Sequence, residues 1–167
     1  MLSPAFEAYL DIETTGLYSS HDEITVVGIY LTNGNDALFA QLVGKEITGD
    51  GLKSALQGTK TIYTYNGSRF DLPFINYRMG IDLANLYQHC DLMYFCWQWN
   101  LFGGLKSVER QLGIERHLKG IDGYQAVKLW WKYVNDYDEA ALKTLLEYNR
   151  EDVLNLKVLK EKLLPSH

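Results

Sequence analysis

The chain has 167 residues, of which 47% are hydrophobic and 22% charged, and its formal net charge is −5. Such a length and composition suit one soluble globular domain, residues 1–167, that buries a full core; no apolar run approaches the length of a membrane span. The acidic balance argues against a passive nucleic-acid binder, which would need a basic surface, but not against a protein whose acids hold cations that face phosphates.

In chain order, residues 6–14 read as a strand, and residues 24–31 as a buried central strand, apolar on both faces. The Asn33-Gly34-Asn35 turn leads to a strand at 37–42, so the first three strands form an antiparallel meander. A short helix is expected between 47 and 56, a strand at 60–65, a helix near 73–79 and a short strand at 88–91. Helices at 105–112, 124–133 and 139–163 complete the chain. Strands in series followed by strand–helix alternation imply an α/β fold, a mixed sheet covered by helices. Cys90 and Cys96 have no zinc-type spacing with the histidines and read as reduced thiols. With no leader-like N-terminus, the expected location is cytoplasmic.

Several acids stand in places where an acid needs a reason. In the first strand Phe6, Ala8, Leu10 and Ile12 form one apolar face, so Asp11 and Glu13 point together to the other. Two adjacent carboxylates repel, and without a cation the pair costs energy or takes up a proton. The bland alternative is an edge strand with both acids in solvent. In the last helix Asp152 lies amid an apolar arc of Leu145, Leu156 and Leu159, where an ionised carboxylate needs a metal, a cation or several hydrogen bonds. Neighbours such as Arg150 point elsewhere, whereas Tyr148, one turn earlier, shares the face of Asp152. An Asp152 that reaches solvent at the sheet edge is the alternative. Asp71 follows Ser68 at nearly a capping-box spacing, with Pro73 suited to a first helical turn, so it reads by default as a helix cap that could still project into a site.

These residues lie in three ordered segments, Asp11-Ile12-Glu13-Thr14-Thr15-Gly16-Leu17, Tyr65-Asn66-Gly67-Ser68-Arg69-Phe70-Asp71 and Tyr148-Asn149-Arg150-Glu151-Asp152. Together they resemble the motifs of the DEDD, or DnaQ-like, 3′→5′ exonuclease superfamily. Tyr148 four residues before Asp152, with Glu147 where a histidine type would carry His, resembles the DEDDy branch. The segments Gly104–Glu109 and Gly120–Val127 extend the likeness to a prokaryotic predicted-exonuclease subgroup with a ribonuclease-H-like domain.

The resemblance implies a ribonuclease-H-like mixed sheet, its first three strands antiparallel and later ones parallel, flanked by helices. It implies two divalent ions, Mg²⁺ or Mn²⁺, on Asp11, Glu13, Asp71 and Asp152, with Tyr148 orienting the attacking water. It implies a partner in the 3′ end of single-stranded DNA or RNA, released as 5′-mononucleotides. Thr14 and Thr15 would contact the terminal sugar, Leu17 would wedge at the last base, and Asn66 would place the penultimate backbone. Leu17 as a core leucine and Gly16 as a mere turn glycine remain open. Lys106, Arg110, Arg116, Lys119, Lys128 and Lys132 make a basic stretch that could follow a strand backbone, with Tyr124, Trp130, Trp131 and Tyr133 interleaved. Trp130 and Tyr133 share a helical face and read in part as packing. An endonuclease acting on structured nucleic acid and a catalytically silent binding module are the competing readings.

Overall fold

The computed structural model describes residues 5–165. Five strands, β1 (Phe6–Thr14), β2 (Ile24–Thr32), β3 (Ala37–Val43), β4 (Thr59–Thr64) and β5 (Gln88–Asp91), form one sheet in the order β3-β2-β1-β4-β5. Pairings β1–β2 and β2–β3 are antiparallel, while β1–β4 and β4–β5 are parallel. The mixed sheet is the expected one, with β1 at its centre rather than at an edge. Period-2 alternation on β1 explains its place. Ala8, Leu10 and Ile12 are buried on one face, and Tyr9 packs on the other.

Helices α1 (Gly49–Ala55) and α2 (Asp71–Met79) contribute to the core with Leu52, Leu72, Phe74 and Ile75, alongside Leu10 and Val27. The opposite face carries α7 (Glu139–Leu163), whose Val153, Leu156 and Leu159 pack with Tyr9. Burying each of those leucines stabilises the fold by roughly 2 kcal/mol. Two further helices, α5 (Leu105–Leu112) and α6 (Gly123–Asp136), bring Val108 and Ala126 into the layer around α7. No helix among the described residues is long and apolar enough to cross a membrane. Cys96 is buried and Cys90 half-buried, both as free thiols.

Two short helices depart from expectation: α3 (Leu83–Leu86) and α4 (Leu92–Gln98). The α4 segment Leu-Met-Tyr-Phe-Cys-Trp-Gln mixes strong helix formers with four weaker ones and is too short to show a period. Its start is set by Asp91, whose side chain accepts from Met93 N at 3.1 Å. Two bounds move by two residues or more, α2 beginning at Asp71 and α6 running on to Asp136, and others shift by one. The 33–35 turn forms as expected, with Asn33 Oδ1 accepting from Asn35 N at 3.1 Å and Asp36 N at 2.8 Å.

Candidate active site

Three carboxylates from two elements converge on the α7 side of the sheet. Asp11 and Glu13 project from the C-terminal half of β1, and Asp152 comes down from α7, with one oxygen of each lying within 4.8 Å of the others. Register explains how a helix can come so close. Gly28 of β2 sits opposite Asp11, and Gln41 of β3 opposite Gly28. A Cβ on Gly28 would stand 2.1 Å from Asn149 Oδ1 and 2.8 Å from Val153 Cγ2, so the missing side chain admits α7. Asn149 fills the gap. Its Nδ2 donates to the Asp11 carbonyl and Oδ2, both at 3.2 Å, and to Glu13 Oε1 at 3.5 Å. Gln41 Nε2 donates to Asn149 Oδ1 at 2.9 Å and thereby fixes which way the amide points.

Asp71 is not the cap that local spacing suggested. It is the first residue of α2, whose N-cap Phe70 makes no side-chain cap bond. Its buried carboxylate instead accepts from Ile12 N of β1 at 3.1 Å. It lines the same cavity as the other three acids but stands outside their tight cluster. Ser68, the other half of the expected box, donates its hydroxyl to Asp91 at 2.8 Å.

Burial and mutual repulsion set the electrostatics. Burial, then the charges of Glu13, Asp152 and Asp71, hold the Asp11 carboxyl well above the usual carboxylate range. Burial and the Asp152 charge push Glu13 up to about 8, against the donor Asn149 and the more distant Lys106. Asp71 rises to about 7, chiefly by burial, although the Ile12 amide pulls the other way. Asp152 is also raised by burial, with Lys106 and Arg116 countering it. A cluster that ionises so reluctantly alone gains most from a cation. The donors are hard oxygens, the class that suits Mg²⁺ or Mn²⁺.

Three partners of the site were not foreseen. Arg116 donates through Nη2 to Asp152 and through Nη1 to both oxygens of the fully buried Glu109, at 2.8 and 2.9 Å. Arg116 belongs to the basic stretch by sequence, but its charge is spent internally. Lys106 Nζ donates to the Tyr148 hydroxyl at 2.6 Å and lies 3.8 Å from Asp152. Asp91 accepts from Asn66 N at 2.8 Å and from Ser68 N at 3.0 Å, and so shapes the loop before Asp71. An acid within a short amphipathic helix, Glu109, was the one available hint that a buried cation was needed. Arg150 does point away, over the Phe39 ring at 4.6 Å.

Tyr148 is buried beside the acids, and burial followed by the charges of Asp152, Glu13 and Asp11 raises its phenol further, so it keeps its proton. The ammonium of Lys106 only donates. The phenol oxygen therefore accepts from it, and the phenol hydrogen is left to point elsewhere.

A cavity of about 590 Å³ opens beside the carboxylates, and the loop after β1 and the loop before α2 line it. Leu17 is 75% exposed at its mouth, which removes the core-leucine reading. Thr14 donates its hydroxyl to the Gly16 carbonyl at 2.6 Å, and the Thr15 hydroxyl accepts from Glu23 N at 2.9 Å. Both hydroxyls are thus engaged within the loop they shape. A side chain on Gly16 would collide with Asp22, the residue that organises this loop. Asn66 sits in the left-handed region (φ 60°), which turns the chain into the cavity wall.

A sheet of this order with acids on its central strand and last helix meets a family model described as the RNase_H superfamily, which matches residues 8–164. The chain belongs to the ribonuclease H superfamily. Its fold is shared with the family B DNA polymerase of the archaeon Pyrobaculum calidifontis (TM-score 0.76, 19% identity). That alignment covers 98% of this chain but a quarter (25%) of the polymerase. Brucella melitensis NrnC with bound Mg²⁺ aligns at a TM-score of 0.63 and 24% identity, over 94% of this chain and 71% of NrnC. A second structure of NrnC, bound to pGG, aligns at 0.59 and 21%, over 95% and 72%. At these identities the likeness is one of fold. No curated protein sequence matches the chain.

Proposed function

We propose that this ribonuclease-H-like domain is a 3′→5′ exonuclease of the DEDDy type that hydrolyses single-stranded DNA or RNA. The observation that carries this reading is the convergence of half-buried Asp11 with buried Glu13 and Asp152 to within 4.8 Å, with Tyr148 one helical turn before Asp152. Asp11, Glu13 and Asp152 would hold two divalent ions, Mg²⁺ or Mn²⁺, with Asp71 contributing. The ions would neutralise phosphate charge and acidify water at neutral pH. The fold neighbour that carries Mg²⁺ is consistent with that donor set.

The chain's own residues do the rest. Asn149 and the Ile12 amide hold Asp11, Glu13 and Asp71 in place. Lys106 holds the Tyr148 oxygen, so the phenol hydrogen is aimed at the attacking water; orientation is its role, since the phenol keeps its own proton at neutral pH and has no free base to accept another. Attack of water at phosphorus forms the new P–O bond and breaks the bond to the 3′ oxygen. It releases a 5′-mononucleotide and leaves a new 3′ hydroxyl. Leu17 at the cavity mouth would pack on the terminal base, Thr14, Thr15 and Gly16 would shape the wall facing the sugar, and Asn66 would position the next phosphate.

The test uses end-labelled linear strands and their circular counterparts with Mg²⁺ or Mn²⁺. Stepwise mononucleotide release from linear strands only, lost on chelation, is the expected result. Cutting of circles would make the protein an endonuclease, and inertness toward both would make it a silent binding module.

A further inference from the structure

The helix α4 and the loop that follows it carry exposed aromatic side chains that the core does not use. Trp99 is 64% exposed and Phe102 57%, while Tyr94 and Trp97 on α4 are each 37% exposed. Tyr94 and Trp97 meet edge to face, with ring centroids 5.2 Å apart. The Arg69 guanidinium lies over both, 5.9 Å from the Tyr94 ring and 5.5 Å from the Trp97 ring. No carboxylate is within ion-pair distance of Arg69 among the described residues.

The patch is continuous with the candidate site. Arg69 stands two residues before Asp71, in the loop that Asp91, the N-cap of α4, ties down at Asn66 and Ser68. Tyr65 lines the cavity and donates its hydroxyl to the Gly103 carbonyl at 2.6 Å, in the loop that carries Trp99 and Phe102. That same loop leads into α5 and Lys106. Exposed aromatic faces with an unpaired guanidinium among them match one kind of occupant. Bases stack on the rings in any sequence, and phosphates meet the cation.

We infer that Tyr94, Trp97, Trp99, Phe102 and Arg69 form a platform that holds the single-stranded nucleic acid 5′ of the nucleotides in the cavity. This rests on the exonuclease reading and extends it: the acidic cluster supplies chemistry at the 3′ end, and the platform supplies grip on the rest of the strand. It accounts for how a chain of net charge −5 retains a polyanion between cuts.

The experiment compares wild type with Trp99→Ala and Arg69→Ala on a dinucleotide and on a ten-nucleotide strand of DNA or RNA, in Mn²⁺. The ratio of kcat/KM for the ten-nucleotide strand to that for the dinucleotide is expected to fall about tenfold in each variant. An unchanged ratio in both overturns the platform. Tryptophan fluorescence quenching by the ten-nucleotide strand, in chelator at low salt, gives an independent readout. If wild type hydrolyses no dinucleotide, the reading of the cavity fails. The platform then stands on a Kd at least tenfold tighter than that of Trp99→Ala, and falls if the two are equal. A wild-type dimer that Trp99→Ala dissociates, with strand affinity unchanged, would make a second copy the occupant and also overturn the proposal.

Discussion

Replacing Glu13 by Gln should stabilise the metal-free protein, by an amount set by pH. Two unit charges 4.8 Å apart, the outer limit for the cluster oxygens, repel by roughly 3.5 kcal/mol at an effective permittivity of about 20. Titration leads to the same scale. Glu13 is pushed up to about 8 from an ordinary 4.5, because folding buries it against Asp152. An acid whose folded pKa is raised disfavours the folded state wherever the unfolded chain is ionised. Stability is therefore unaffected below pH 4.5, falls as pH rises from 4.5 to 8, and levels off above. At pH 7 the loss is about 3 kcal/mol, and Glu13→Gln should recover about 2–3 of it, or about 5–10 °C in Tm for a chain this size. The assay is urea unfolding in chelator at pH 4.5 and pH 8 for both proteins. Manganese should close the gap at pH 7, since a ligand at one hundred times its Kd adds about 2.7 kcal/mol to the protein that binds it. A gap of equal size at both pH values, or a variant less stable at pH 8, would refute the reasoning.

Asp152→Asn should gain less than Glu13→Gln: burial raises its carboxyl too, but the substitution also removes one partner of Arg116, so in the same urea assay the metal-free variant should stay within about 1 kcal/mol of wild type. Tyr148→Phe should slow single-turnover hydrolysis by about 10- to 1000-fold while a Mn²⁺ titration keeps its midpoint, since the phenol is held by Lys106 rather than by a carboxylate. Gly28→Ala should cost about 2 kcal/mol in a thermal melt and lower activity, because its methyl would displace the Asn149 amide that orients Asp11 and Glu13.

What could be read from the chain was what repeats at short range. Period-2 alternation located β1 and β2, and the 3.6-residue arc around Asp152 located α7 and put Tyr148 on its face. What escaped was contact across the chain. Arg116 and Asp152 are 36 residues apart, and nothing local distinguishes Arg116 from the other cations of its stretch. Asp71 read as a cap because its true partner, the Ile12 amide, is 59 residues away. Nothing local marks Gly28; only the β1–β2 register puts it opposite Asp11 and beneath Asn149.

The manner in which each acid is held separates structural pairs from the candidate cation site. Glu109 is fully buried and is neutralised by Arg116, assisted by Asn155 at 3.1 Å. Asp152 shares that guanidinium and lies near Lys106, so half of its environment is already cationic. Asp11 and Glu13 receive something different. Their side-chain donor is the neutral amide of Asn149, and no cationic side chain lies within ion-pair distance of either among the described residues. An amide fixes direction without cancelling charge. A fold under pressure only for stability would have placed a lysine there or removed an acid, since one neutralisation recovers a few kcal/mol. Keeping Asp11 half-buried and Glu13 buried, oriented but uncompensated, leaves the cavity wall acidic, the setting in which a divalent ion could bind.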